Sequence, residues 1–191
     1  MAPQVKPLVT DVGREHLGVA GASGPDVSEW IDGLYEEGGS GLTKREILYI
    51  DADACPVKDE TVAVAERHGT HVKIVSNGGL RPVRNPLVEM VYVAEGPDVA
   101  DNWIAERIGA GDICITADIP LADRCIKAGG TVLKPNGETL DQDNIGAVLA
   151  TRNLMADLRE QGTVTSHHAA FSARNRSNFR QSLDRLLRRL R

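Results

Sequence analysis

From Ile47 onward, short apolar runs alternate with segments whose apolar positions recur at helical period, as expected of parallel strands joined by crossover helices. The runs Ile47 to Ile50, Val72 to Val75, Met90 to Val93, Ile113 to Thr116 and Thr131 to Leu133 predict about five strands. The intervening helices have readable ends. Pro56 suits the opening turn of the first and Gly69 its stop; Asp98 suits the cap of the second, which Gly109 ends; Asp118 suits the cap of the third, ended by Gly129. Thr139-Leu140-Asp141-Gln142 has capping-box spacing and predicts a fourth helix to about Gln161, with Ile145, Val148, Leu149, Met155 and Leu158 on its buried side. The last helix gathers Phe179, Leu183, Leu186, Leu187 and Leu190 on one face and most of its arginines elsewhere. The expected fold class is therefore α/β, three layers with a mostly parallel central sheet.

Residues 1–45 differ in texture. Gly21 to Gly24 and Gly38 to Gly41 flank a stretch holding Glu29, Asp32, Glu36 and Glu37, which reads as a flexible extension ahead of a domain spanning residues 46–191. Within it, Trp30, Ile31 and Leu34 have the spacing of one amphipathic turn. A chain of 191 residues, 41% hydrophobic and 26% charged, is an ordinary globular balance for one domain with a tail. Cys55, Cys114 and Cys125 are odd in number and lack CxxC spacing, which argues against a disulfide framework and for a reducing compartment. With no apolar run near the roughly 20 residues of a membrane span, the expected location is cytoplasmic.

The chemistry concentrates where the first strand ends. Ile47-Leu48-Tyr49-Ile50 runs directly into Asp51-Ala52-Asp53, and in an open α/β sheet ligands bind outside the carboxyl ends of strands. Ile113-Cys114-Ile115-Thr116-Ala117-Asp118 repeats the situation, and Asp98 and Asp101 open the helix between. Five carboxylates, Asp51, Asp53, Asp98, Asp101 and Asp118, are thus expected on one rim. Like charges held close repel unless protonated or joined by a cation, and hard oxygen donors select Mg²⁺ or Mn²⁺. Phosphoryl transfer is the reaction such a cage supports. The bland alternatives are that Asp98 and Asp118 only cap helices and that Asp101 only complements a helix dipole. Asp59, Asp112 and Asp123 are assigned to solvated faces or turns. Cys55 reads as a packed thiol beside the site, Cys114 and Cys125 as core, and His167 and His168 as surface residues of a polar loop.

The strings Asp51-Ala-Asp-Ala-Cys-Pro-Val-Lys, Ala100-Asp-Asn-Trp-Ile-Ala-Glu-Arg, Thr116-Ala-Asp-Ile-Pro-Leu-Ala, Asn144-Ile-Gly and Phe171-Ser-Ala-Arg, in this order, resemble the bacterial YaiI/YqxD family from about Ile47 to the C-terminus. That resemblance brings no activity with it. The same stretches are more distantly similar to PIN-like nuclease domains, in which acids after the first strand, in a mid-chain helix and after a later strand hold divalent metal for phosphodiester hydrolysis. By position the likeness implies catalytic roles for Asp51, Asp101 and Asp118, with Thr116 supporting them; Asp53 and Asp98 have no secure counterpart.

Two other readings compete. Asp51-Ala-Asp53 after an apolar strand also resembles the nucleophile and acid pair of haloacid-dehalogenase phosphatases, with Val75-Ser76-Asn77 as a second motif and Asp118 with Asp123 as a fourth. That reading lacks its lysine: Lys73 comes too early, Lys127 and Lys134 too late. The third is a non-catalytic RNA-binding module. Residues 174–191 carry seven arginines against Asp184 alone, a local charge of +6 in a chain whose net charge is -5. Arg174, Arg176, Arg185, Arg188 and Arg189 are the expected phosphate contacts, with the last three turned toward the acids; the bland alternative is a solvated face.

Overall fold

The computed structural model of the chain describes residues 35–38, 41–44, 46–53, 55–79, 81–161 and 171–190. The chain divides near Thr43 into two compact units. Late in the first, β1 (Tyr35–Gly38) and β2 (Gly41–Lys44) form a two-stranded sheet. The remainder of the expected extension, with Trp30, Ile31 and Leu34, lies outside the described residues, as do His167 and His168.

The second unit is built on a six-stranded sheet: β3 (Ile47–Asp51), β4 (His71–Ser76), β5 (Val88–Tyr92), β6 (Ile113–Ile115), β7 (Thr131–Leu133) and β8 (Thr139–Leu140). The spatial order is β5-β4-β3-β6-β7-β8. Every pairing is parallel except β7 with β8. The helices are α1 (Lys58–His68), α2 (Val99–Ala105), α3 (Ile119–Lys127), α4 (Ile145–Glu160) and α5 (Ala173–Leu190). β3 is central and buried along its whole length, which is why it reads as an unbroken apolar run rather than an alternation.

Alternation still sorts the two faces. Leu48, Ile50, Ile74, Ile113 and Ile115 meet Val64 and Ala65 of α1 and Phe179, Leu183 and Leu187 of α5. On the other face the Tyr49 ring lies 6.3 Å from Trp103 of α2, and Cys114 is hydrogen-bonded to Cys125 of α3. Helices thus cover both faces of the sheet, the three layers expected of the α/β class. Phe179, Leu183 and Leu187, spaced four apart, anchor α5; cutting Phe179 to alanine would cost about 3–5 kcal/mol. Two glycines shape this layer. Gly69 ends α1 at φ 62, donating to Glu66 O while Thr70 N donates to Ala65 O. Gly137 turns the β7–β8 hairpin at φ 91 against α5, where an added Cβ would fall 2.7 Å from the carbonyl carbon of Asn178.

Several expectations need correction. Thr139-Leu140 is the sixth strand, not a capping box: Leu140 is fully buried and pairs with Val132, and α4 starts five residues later from Asn144. Only Ile145 of α4 is buried; Val148, Leu149 and Leu158 are half-covered, and Leu154 and Met155 are 56% and 38% exposed. α2 stops at Ala105 rather than running to Gly109. Asp98 occupies the N-cap position of α2 but makes no side-chain cap; its φ of 57 puts it in the left-handed region, alone among the described non-glycine residues. Asp112 is not solvated but buried: its carboxylate accepts from Ile47 N at 3.1 Å and Gly109 N at 2.9 Å.

Candidate functional site

The strand order turns at β3. From it the chain steps outward to β4 and β5, then returns to place β6 on β3's other side. The carboxyl ends of β3 and β6 therefore flank a topological switch point, where connections leave in opposite directions and open a crevice. Asp51 closes β3 there, and Thr116 follows β6.

Asp51 is 5% exposed. Thr116 Oγ1 donates to its Oδ2 at 2.9 Å, and the Asp53 backbone N–H donates to it as well. The Thr116 hydroxyl in turn accepts from Asp118 N at 2.9 Å, so its single proton is directed at Asp51. Asp118 caps α3 by accepting from Leu121 N at 2.7 Å, as its sequence position implied. Beside them, Ser76 Oγ, at the end of β4, donates to Asp53 Oδ1 at 3.4 Å. Lys58 Nζ donates to Ala52 O at 3.0 Å, holding the turn after β3.

Electrostatics mark these acids as neighbours. Burial pushes Asp51 above the usual carboxylate range, and the charges of Asp53 and Asp118 push the same way; the bonds from Thr116 and the Asp53 backbone N–H pull back. Asp101 is raised to about 6, first by burial and then by Asp51, Asp118 and Asp98, with Arg124 opposing. Some acids elsewhere pair with cations, as in Lys73–Glu89, Lys127–Asp123, Lys134–Glu138 and Arg176–Glu60. Among the described residues, none of Asp51, Asp53, Asp98, Asp101 and Asp118 has such a partner. Nor are any three His, Cys, Asp or Glu side chains among the described residues gathered tightly enough to form a ready-made metal ligand set. The rim is an uncompensated acidic surface with Asp51 as its rigid member.

Cys55 is buried and its thiol pushed up to about 11 by that burial, the state of a packed and unreactive cysteine. The structure divides the arginines of α5. Arg176 reaches Pro56 O at 3.2 Å and Glu60, next to the rim, and stacks over Phe171. Two turns later Asp184 meets His68, at the far end of α1, and Arg188. Since α1 runs from the rim to the opposite edge, Arg185, Arg188 and Arg189 sit away from the acids rather than toward them. A residue that sequence reasoning left out of the metal site is Asn77, just past β4: its Nδ2 donates to Gly96 O at 3.2 Å, while its Oδ1 is buried and unpartnered. Its place after an apolar strand was the available signal.

A family model described as "Uncharacterized BCR, YaiI/YqxD family" matches residues 49–189. The chain belongs to the YaiI/YqxD family. Relatives include a UPF0178 protein of Rhodopseudomonas palustris, 54% identical over 143 residues, covering 75% of this chain and 90% of that protein. A UPF0178 protein of Roseobacter denitrificans is 58% identical over 143 residues, covering 74% and 95%. One of Nitrobacter winogradskyi is 54% identical over 144 residues, covering 75% and 92%. The YaiI/YqxD match takes in Asp51, Asp53, Asp98, Asp101 and Asp118 together with nearly all of α5, and leaves out residues 1–48. No solved structure matches. Among the described residues, no helix of this YaiI/YqxD protein is long and apolar enough to cross a membrane.

Proposed function

We propose that the rim is a divalent-metal site for hydrolysing phosphodiesters, with RNA as the substrate class. The observation that carries this reading is like charge gathered at one place: at the switch-point edge Asp53 and Asp118 act on Asp51, and Asp51, Asp118 and Asp98 act on Asp101, with no ion-pair partner for any of the five among the described residues. Hard oxygen donors suit Mg²⁺ or Mn²⁺. Asp51, Asp101 and Asp118 would hold the ion, with Asp53 and Asp98 at its margin, and the unpartnered Asn77 Oδ1 is a neutral oxygen of the same type. The exposure of Asp53 and the half-exposure of Asp101 leave both side chains room to close on an ion. A bound Mg²⁺ or Mn²⁺ supplies an activated water and stabilises charge on phosphate oxygens.

The protein's own part is orientation. Thr116 fixes Asp51 through one hydroxyl, and the backbone N–H of Asp118 fixes that hydroxyl. Lys58 holds the turn through which Asp53 leaves the strand. The distant likeness to PIN-like nucleases supports the same three acids, and the three unpaired cysteines fit a cytoplasmic setting. Mn²⁺ titration by calorimetry, comparing native protein with Asp51→Asn, tests the site. Native protein should release heat and the variant should not. Incubation with mixed RNA and Mn²⁺ tests the reaction: products should vanish in Asp51→Asn. Phosphomonoester turnover through an acid-stable phosphoaspartate would replace the proposal with the phosphatase reading.

A further inference from the structure

Helices α1 and α5 start together at the rim and run side by side to the opposite edge of the sheet. Between them lies a groove of about 510 Å³ lined by Ala63, Val64 and Arg67 of α1 and by Ser177, Arg180, Gln181 and Asp184 of α5. Its charge is one-sided. Asp184, the single acid in it, is matched by His68 Nε2 at 2.9 Å and Arg188 at 2.9 Å, with Arg67 a weaker and more distant influence on it. Arg67 and Arg180 are exposed, and neither guanidinium has a hydrogen-bond or ion-pair partner among the described residues. Ser177 and Gln181, bonded to each other at 3.3 Å, add neutral polar groups one helical turn apart. At the rim end, Arg176 ties α5 to Pro56 O, five residues after Asp51.

We infer that this groove is the track along which a single-stranded RNA backbone approaches the acid rim, with Arg67 and Arg180 as its phosphate contacts. The inference rests on the phosphodiesterase reading for its choice of polyanion. A carboxylate rim repels a polyanion, so a strand must be held by cations set back from the acids, and a guanidinium already spent on Glu60, as in Arg176, serves poorly. The two unpaired guanidinia line one continuous groove that begins on α5 at Ser177, the residue after Arg176. From Ser177 to Asp184 it follows α5 for about 10 Å, a length that spans neighbouring phosphates rather than one. Arg67 is the contact that sequence charge alone hides, because it lies outside the basic helix.

The test measures binding of labelled oligouridylate by anisotropy in EDTA, so that no metal chemistry enters. Arg67→Gln with Arg180→Gln should weaken binding on the order of tenfold and make the log–log salt slope shallower by about 1.4, at roughly 0.7 per phosphate on a single strand. Arg185→Gln with Arg189→Gln, the same charge removed elsewhere on α5, should change it far less. Unfolding curves should match native in both. Equal losses in the two double variants would mean diffuse charge attraction and overturn the track, as would unchanged affinity in the first or equal competition by polyglutamate. Mn²⁺-dependent cleavage of bis(p-nitrophenyl) phosphate, too small to use the groove, should persist in Arg67→Gln with Arg180→Gln. Its absence in native protein would defeat the phosphodiesterase reading while leaving the RNA-binding result to stand by itself.

Discussion

Asp51 and Asp112 are both buried aspartates on the same pair of strands, one at each end, and they do opposite things. Asp112, ahead of β6, accepts from the backbone of Ile47 and of Gly109 and so fastens the starts of β3 and β6 together. Asp51, at the end of β3, accepts from a side-chain hydroxyl and its own turn, and it faces Asp53, Asp101 and Asp118. One carboxylate is used up by the fold; the other is held in place and left with charge to spare. Burial alone therefore says little about role. What separates the two is whether the donors come from separate pieces of backbone that would be orphaned without them.

That contrast is sharpest in stability. Asp112→Ala strands the buried Ile47 N–H, at about 1–3 kcal/mol, and the half-buried Gly109 N–H at less, so a loss of about 2–4 kcal/mol is expected in urea unfolding at pH 7. A loss below about 1 kcal/mol would erase the distinction. Thr116→Val keeps shape but removes the hydroxyl that serves both Asp51 and Asp118 N; about 1–2 kcal/mol should be lost. Because that bond favours the charged carboxylate, NMR titration should find Asp51 raised further in the valine variant.

Asp51→Asn should leave stability without metal within about 1 kcal/mol of native, on the stabilising side, because it relieves repulsion. Its signature is instead the loss of the rise in Tm that Mn²⁺ should give native protein. A further effect is pH dependence, which solvent screening of the half-exposed Asp101 reduces. Asp101 is 3.8 unfolded and about 6 folded, so between those values the unfolded chain gives up a proton that the folded one keeps. Its contribution is full below about pH 3.8 and is lost as pH rises through 6; Asp101→Asn should remove that slope.

The sequence made the rim legible because its acids sit at places local rules can see: Asp51 ends an apolar strand, and Asp118 precedes a helix with a proline in its first turn. What it hid depended on tertiary partners. Asp112 looked like a turn residue because Gly109 and Gly111 surround it; its acceptor role exists only through Ile47, 65 residues away. Thr139-Leu140 is too short to show a strand period and was masked by capping-box spacing. In α4 the apolar residues exceed what one buried side can use, so periodicity could not say that Leu154 stays exposed. Arg67 was invisible as a contact because it takes its meaning from α5, more than a hundred positions later.

The β3–β6 pairing also has a consequence for the order in which the molecule comes into being. Both of its clasps, Ile47–Asp112 and Thr116–Asp51, join residues 65 apart, one at each end of the same strand pair. Closing so long a loop is entropically late work compared with the local β3-α1-β4 unit. A nascent chain that has emerged only through β5 can make that unit but has neither clasp, and it lacks Asp101 and Asp118 altogether. The acidic rim thus comes into existence with the closing of the sheet, and a ribosome-bound fragment cannot hold it early.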